Sequence, residues 1–406
     1  MLNQATIQTI KSTVPVLEVH GTAITKRFYK LLFAAHPELL HLFNHANQKQ
    51  GRQQTALANA VYAAAVHIDH LEAILPAVRQ IGHKHRSLGV KPEHYPIVGS
   101  SLLAAIKDVL GDAATEEILA AWGEAYQVIA DAFIGVEHEL YEQAHNREGG
   151  WSGLRRFIVK RKEEESRVIT SFYLVPEDGN PIASFEPGQY VSVHIQIPGN
   201  DYTHIRQYSL SDAPGKPYYR ISVKREDAAE AKPAGIVSSY LHQYVQEGDL
   251  LSITAPAGGF TLKADGKPIV LLSGGVGLTP MISMLNQLIE TGDERNVAFI
   301  HAALNGQTHA VKMHMNKSTE AHPRLRTYIC YQMPTEADRA EHGYDKEGYV
   351  DLPWLKAIAP GPDASYYLCG PIPFMKSMYR MLKAWDVLNE DIHYEFFGPA
   401  GSLEAE

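Results

Sequence analysis

The residues able to do chemistry fall into two groups along the 406-residue chain. In the first, Val78, Ile81, His85 and Leu88 recur at intervals of three and four, so one helical face carries them and His85 points with the apolar residues, while His83 points elsewhere. A histidine on such a face is either a core residue or a metal ligand. Tyr95 and Glu137 lie on the helices that follow, where they can accept the imidazole's second N–H, a bond that fixes a ligating ring and raises its basicity. In the second group, a buried-strand run at 269–272 passes into Ser273-Gly274-Gly275-Val276-Gly277-Leu278-Thr279-Pro280 and then a helix. Glycines at a strand-to-helix turn let the backbone approach a pyrophosphate, and the helix N-terminus offers free N–H groups. Pro280 fits the first helical turn. Cys369-Gly370-Pro371 closes another buried strand, and such strand ends are where open α/β sheets bind ligands. Cys369 alone reads equally as a small buried hydrophobe.

Three kinds of element must hold these groups. Residues up to about 143 read as successive helices. Ile7, Ile10, Val14 and Leu17 share one face that Pro15 is expected to kink, and a second helix carrying Phe28, Leu31 and Leu32 stops near His36-Pro37. Further helices are expected at 52–70, 76–87, 92–110 and 113–143, with Pro76 and Pro92 in first turns. Polar residues 144–150, ending Gly149-Gly150, form the expected linker. From Trp151 the runs at 157–159, 168–175, 190–197, 219–224 and 249–255 are short, β-branched and separated by Pro/Gly turns, which predicts an antiparallel barrel. Beyond it, strand runs at 269–272, 297–300, 327–330 and 365–368 alternate with helices, which predicts a parallel α/β sheet. The expected division is 1–143, linker 144–150, 151–263 and 264–406.

Composition narrows the possibilities. A net charge of −9 without a Lys/Arg run argues against nucleic acid as a partner. Two cysteines, Cys330 and Cys369, cannot build a disulfide framework or a Cys-based zinc or iron–sulfur site, whereas 20 histidines leave a His-held metal or haem open. No run of 18 apolar residues predicts a membrane span, and the opening MLNQATIQTI lacks a cationic, apolar leader, so a reducing cytosol is expected.

In order and spacing, Arg206-Gln207-Tyr208-Ser209, the Gly274–Pro280 run and Cys369-Gly370-Pro371 make the chain from Trp151 onward resemble the ferredoxin-reductase-like flavoproteins. The resemblance implies FAD on the barrel and NAD(P)H on the α/β domain. Arg206 then supplies a cation for FAD phosphates, Tyr208 a flat ring and a hydroxyl, and Ser209 a hydrogen bond to the flavin. Gln207 belongs to the same motif. Tyr190 matches a second FAD-contacting tyrosine. Gly235, Val237 and Ser238, ahead of Ser239-Tyr240-Leu241-His242, look like a pyrophosphate-holding helix start. Tyr394-Glu395-Phe396-Phe397-Gly398-Pro399 also matches; by resemblance Phe397 covers the flavin and Glu395 tunes its potential. NADH against NADPH stays open. The strand end His301-Ala302-Ala303-Leu304-Asn305 carries no cation and leans to NADH, while Arg324 and Arg326 point the other way.

Residues 1–140 resemble a globin through Arg27-Phe28-Tyr29, Pro37-Glu38-Leu39 with Phe43, Asn47-Gln48, Gln53, Lys84-His85, Tyr95, Ala121-Trp122-Gly123 and Glu137. Joined to the reductase part, the whole chain is similar to the bacterial flavohaemoglobins. That implies a noncovalent haem b, since no CxxCH is present, with His85 as the proximal ligand and Tyr95 and Glu137 as its relay. It also implies that Lys84 influences the potential, Phe43 packs on the porphyrin, Tyr29 and Gln53 form the polar distal side, and Leu57 restricts access. The implied activity is nitric oxide dioxygenation in defence against nitrosative stress: NAD(P)H electrons pass through FAD to the haem, and NO and O2 become nitrate without an obligate protein partner. A haem-based gas sensor and a plain flavin reductase with a docking domain are the rival readings.

Overall fold

The structure is a computed structural model that describes residues 2–43, 48, 50–229, 233–398 and 403. Spatial clustering of the backbone gives two units. One holds Met1–Gly153 with His194–Arg206 and Gly398; the other holds Leu154–Val193 and Gln207–Phe397.

The N-terminal part is helical: α1 Gln4–Ser12, α2 Val14–Ala35, α3 Arg52–Val66, α4 Leu75–Leu88, α5 His94–Leu110 and α6 Glu116–Asn146. Asn3 caps α1 by accepting from the Thr6 amide. Pro15 does not kink a continuous helix as expected. It lies in the first turn of α2, where its missing N–H has no carbonyl to serve, so the chain breaks at Thr13 and starts again. Pro92 likewise falls just ahead of α5 rather than inside it, and α6 continues through Asn146, so residues 144–146 of the expected linker are helical. Ile10, Phe28, Leu32, Ala65, Leu102, Ile106, Trp122 and Ala125 form the core between these helices.

Helix α4 keeps Val78 buried as expected, and Ile81, His85 and Leu88 of the same face are half-buried. Its buried positions are Val78, Gly82, Arg86 and Ser87, and His85 is only half-buried. Gly82 permits a close approach to α6: a Cβ there would stand 3.2 Å from Val136 Cγ1 and 3.4 Å from Leu140 Cδ1. With the glycine turned toward α6, His85 lies on the flank of the contact.

The barrel strands are β1 Arg155–Ser166, β2 Ile169–Pro176, β3 Tyr190–Gln196, β4 Thr203–Ser209, β5 Tyr219–Lys224 and β6 Leu250–Ile253, in the order β4-β3-β6-β1-β2-β5. The edges meet where Leu210 bridges Ile221 and the Ser211 amide donates to Arg220 O at 2.8 Å. Helix α7 spans Ile236–Gln243.

In the last part, β7 Ile269–Gly274, β8 Val297–Ala303, β9 Leu325–Tyr331, β10 Lys346–Glu347, β11 Ser365–Cys369 and β12 Ile392–Glu395 form a parallel sheet ordered β10-β9-β8-β7-β11-β12. Between them run α8 Leu278–Glu290, α9 Lys312–Ala321, α10 Glu336–Glu341, α11 Leu352–Ile358 and α12 Ile372–Lys383. Alternate side chains enter opposite cores: Ile269, Leu271, Phe299 and Tyr367 pack with α8, and Val270, Leu272, Ile300 and Tyr366 with α12. The chain leaves β7 toward β8 and returns as β11 on the other side, which puts a topological switch point between β7 and β11. Among the described residues no helix is long and apolar enough to cross a membrane.

Candidate functional site

The half-exposed His85 is not loose. Its Nδ1 lies 2.7 Å from Glu137 Oε1 and 3.3 Å from Tyr95 Oη, and the Tyr95 hydroxyl donates to the same carboxylate oxygen at 2.6 Å. Glu137 is only 3% exposed. Burial, then the hydrogen bond and charge of Glu137, raise the Tyr95 phenol well above its ordinary pKa. The Phe133 ring lies 5.8 Å from the imidazole. With Nδ1 bound to a carboxylate, Nε2 is the nitrogen left for a metal. Lys84, the neighbour of His85, donates through Nζ to the Gly398 carbonyl within the first unit.

A second polar spot lies among aromatic rings. Tyr29 on α2 is buried, with Phe28, Phe33 and Phe43 at centroid distances of 4.8, 5.7 and 5.7 Å. Its hydroxyl hydrogen-bonds the side chains of Gln48 and Gln53, and Gln48 Nε2 donates to Gln53 Oε1 at 3.0 Å. Burial outweighs these bonds and raises the phenol pKa. Leu57, one turn beyond Gln53 on α3, packs half-buried against the helical core. Phe33 and Gln48 carried no assigned role in the sequence reading. Phe33 sits one helical turn after Tyr29, a spacing that signals a shared face.

Half-buried apolar side chains, including Phe43, Leu57, Val61, Ile97 and Val98, stay partly open although they pack on this core. An open apolar lining, a buried phenol and an imidazole with one nitrogen committed are what a flat, apolar, iron-bearing ring requires, so these residues fit a haem.

On β4, Arg206 and Tyr208 fall on one face, and Gln207 and the buried Ser209 on the other. Tyr190 opens β3, its ring seated against Gly258, where a Cβ would come within 3.0 Å of it. The helix start expected at Gly235-Ile236-Val237-Ser238 is there: the helix begins at Ile236, with Gly235 as N-cap. Ser238 Oγ donates to Gly235 O and accepts from the Glu226 amide, both at 3.2 Å, and Val237 is buried. Backbone amides of the turn, rather than this hydroxyl, therefore suit an anion.

The two glycine turns meet at the switch point. Cys369 pairs in register with Ser273, and a Cβ on Gly277 would stand 2.2 Å from Cys369 O. A Cβ on Gly370 would stand 2.9 Å from Phe374 Cδ1 and 3.1 Å from Gly274 Cα, while Gly275, at φ +53°, has open space where a side chain would be. Val276 joins Gly275 and Gly277 in a tight turn, and Thr279 Oγ1 donates to Val276 O at 3.1 Å. Leu278, Thr279 and Pro280 are buried in the first turn of α8, and Pro371 caps α12. Bare backbone at a strand end, with a helix N-terminus behind it, fits a dinucleotide pyrophosphate. Cys369 is fully buried; burial, then Glu395, holds its thiol well above the usual range, so it is no nucleophile.

At the end of β12, Glu395 pairs with Cys369, Phe396 packs inward against Tyr394, and Phe397 is 46% exposed. Pro399 lies outside the described residues. Arg324 and Arg326 lie at the N-terminal ends of the strands, opposite the ends that carry the glycine turns: Leu325 pairs with Val297 at the start of both strands. Arg324 binds Glu294, and Arg326 turns back to the carbonyls of Pro323 and Leu325.

Comparison with known proteins follows the same division. A globin model matches residues 26–133, an oxidoreductase FAD-binding domain 156–262, and an oxidoreductase NAD-binding domain 271–380. A flavohemoprotein of Bacillus thuringiensis is 59% identical over the full length of both chains, and that of Bacillus subtilis 54% identical over 99% of each. The crystal structure of a Malassezia yamatoensis flavohemoglobin with bound FAD and heme superposes with a TM-score of 0.85 at 26% identity, covering 98% of this chain and 100% of that one. The FAD/NAD-binding domain of a Vibrio cholerae nitric oxide dioxygenase is 37% identical over 60% of this chain and 99% of its own, with a TM-score of 0.55.

Fold and sites thus define an oxidoreductase that uses haem, FAD and NAD(P)H. The chain belongs to the flavohemoprotein family.

Proposed function

We propose that this oxidoreductase is a nitric oxide dioxygenase: NO and O2 become nitrate with electrons from NAD(P)H. The observation carrying the reading is the buried Tyr29 hydroxyl, held by Gln48 and Gln53 in the same helical unit as the His85–Glu137–Tyr95 triad. A module 37% identical to the reductase part belongs to a protein named for this activity.

When bound, the haem iron supplies the centre where the gases react, and the flavin takes a hydride's two electrons and releases them singly. His85 would hold the iron through Nε2, and Glu137, accepting from Nδ1–H, would make the imidazole a stronger electron donor. Tyr95 donates to the carboxylate and keeps it aimed. Lys84 places a cation beside this ligand. The Tyr29 O–H would donate a hydrogen bond to a gas that gains negative charge, while Phe33, Phe43 and Leu57 would exclude water.

In the reductase part, Arg206 binds FAD phosphate, Tyr190 and Tyr208 offer ring faces, Ser209 hydrogen-bonds the flavin, and the amides of the Gly235–Ser238 turn receive the diphosphate. Gly274–Pro280 and Cys369–Pro371 cradle NAD(P)H. The exposed Phe397 would offer its ring to the flavin face that the nicotinamide must reach, and Glu395 would tune the flavin potential. The mass balance is two NO, two O2 and one NAD(P)H to two nitrate, one NAD(P)+ and one proton. An NO electrode tests the reading: holoenzyme with NADH in air should remove NO continuously, and removal that persists without O2 or without NADH would count against it.

A further inference from the structure

The segment directly after the flavin motif and the helix directly after the coenzyme glycines are bonded to each other. Ser283 Oγ, on α8, donates to Asp212 O at 2.7 Å, and Asn286 Nδ2, one turn on, donates to Asp212 Oδ1 at 2.8 Å. The Asn286 amide is set in this orientation from behind by His314 Nε2, 2.7 Å from its Oδ1. The other carboxylate oxygen of Asp212 accepts from the Tyr218 hydroxyl at 2.9 Å and faces Arg220, which is itself buried and reaches Ser211 Oγ. All these groups lie in one unit. Ser283, Asn286 and Asp212 are buried, so their bonds form away from competing water.

Apolar contacts reinforce the junction. Met281, Met284 and Leu285 of α8 share a core cluster with Ile169 and Phe260 of the barrel part, and a Cβ on Gly188 would stand 2.8 Å from Met284 Cε. Lys216 and Glu290 add an ion pair at 2.7 Å. Apolar packing tolerates sliding, but two hydrogen bonds to one aspartate, with the partner amide clamped by a histidine, set a single register.

We propose that Asp212, Ser283 and Asn286 form a latch that sets the distance between the NAD(P)H cradle and the flavin motif, and that Asn286 is a positioning residue for hydride transfer. Asp212 follows Ser209 closely in the chain, and Ser283 follows Gly277 in the same way, so little backbone intervenes between the latch and either cofactor motif. A displacement of α8 would pass directly into the separation of the two reacting rings, and transfer rates fall by as much as about a hundredfold for misplacement of roughly 1 Å.

The test uses full-length holoenzyme carrying Asn286→Leu or Ser283→Ala, with two readouts. In anaerobic stopped flow with NADH, the limiting rate of flavin reduction should fall by about tenfold or more in Asn286→Leu and by a smaller factor in Ser283→Ala, while bound FAD and the NADH dissociation constant stay as in the wild type. By hydrogen exchange, the amides of α8 and of residues 211–213 should exchange faster than in the wild type. A limiting rate within twofold of wild type in both variants overturns the latch. A rate loss accompanied by lost FAD or weakened NADH binding, without faster exchange at the junction, also overturns it. Should Asn286→Leu shed its flavin, Ser283→Ala decides. A wild-type trace in which NADH leaves the flavin oxidised overturns the coenzyme assignment and the latch's role with it, and this control separates the two failures.

Discussion

The carboxylate of Glu137 lies 2.7 Å from Nδ1 of His85, on a helix brought near by the missing side chain of Gly82. The bond commits Nδ1 and leaves Nε2 as the nitrogen that a metal would use, and the carboxylate's charge would set how strongly it donates. Glu137→Gln keeps an acceptor and removes the charge. The haem midpoint potential should rise, and NO turnover should fall by about tenfold or more. Spectroelectrochemistry on the purified variant measures the first effect, and an unchanged potential would remove the carboxylate's assigned part.

Tyr29 offers a pH test. Burial raises its phenol pKa, so the O–H persists where an exposed tyrosine begins to ionise, at about pH 10. O2 dissociation from the reduced protein should therefore stay flat up to that pH. Tyr29→Phe should speed dissociation by about tenfold, the worth of one hydrogen bond to a charged group. Flash photolysis across the pH range reads both, and a wild-type rate that climbs well below pH 10 would mean the phenol is not the donor.

Gly277 and Gly275 should respond differently to alanine. At Gly277 a Cβ meets the Cys369 carbonyl at 2.2 Å, so the two strand ends must separate. The change should destabilise the nucleotide-binding part by roughly 1–3 kcal/mol and raise the KM for NADH. At Gly275 the space is open and only the positive φ resists, with a cost of about 1 kcal/mol. Thermal melts and steady-state flavin reduction compare the pair; equal losses would show that contact with Cys369 is not what the glycine permits.

His309 is buried beside His301, its Nδ1 2.9 Å from Tyr331 Oη, and burial lowers its pKa from 6.5 to about 4. A base with a depressed folded pKa stays neutral while the unfolded chain takes up a proton. Its contribution is thus fully present above about pH 6.5 and lost as pH falls toward 4, by about 3 kcal/mol. Replacing it with glutamine should flatten this part of the stability profile. Denaturant titrations from neutral pH to pH 4 measure it, and a variant profile parallel to that of the wild type would assign the acid lability elsewhere.

The sequence was most legible where spacing alone fixes geometry. The helices that carry His85, Tyr95 and Glu137, and the glycine turns ending β7 and β11, stand where they were expected because helical repeats and strand-end turns leave few alternatives. Tertiary packing decided the rest. Pro15 reads as a kink until the break at Thr13 is seen, and Gly82 carries no signal in the sequence of the close approach between α4 and α6 that it permits. Strand β4 went unread since Thr203, His204, Arg206, Gln207 and Ser209 give it little apolar alternation, although it carries the flavin motif. Arg324 and Arg326 looked available to a coenzyme phosphate until strand direction put them at the strand starts, away from the glycine turns.

The most direct test of nitric oxide dioxygenation follows the oxygen atoms. Holoenzyme, NADH and NO are mixed under dioxygen labelled with the heavy isotope, and the products are weighed by mass spectrometry. The account predicts nitrate with two labelled oxygens per molecule, in a ratio of two nitrate to one NADH oxidised. Nitrite or nitrous oxide as the main product, or nitrate carrying at most one labelled atom, would contradict it.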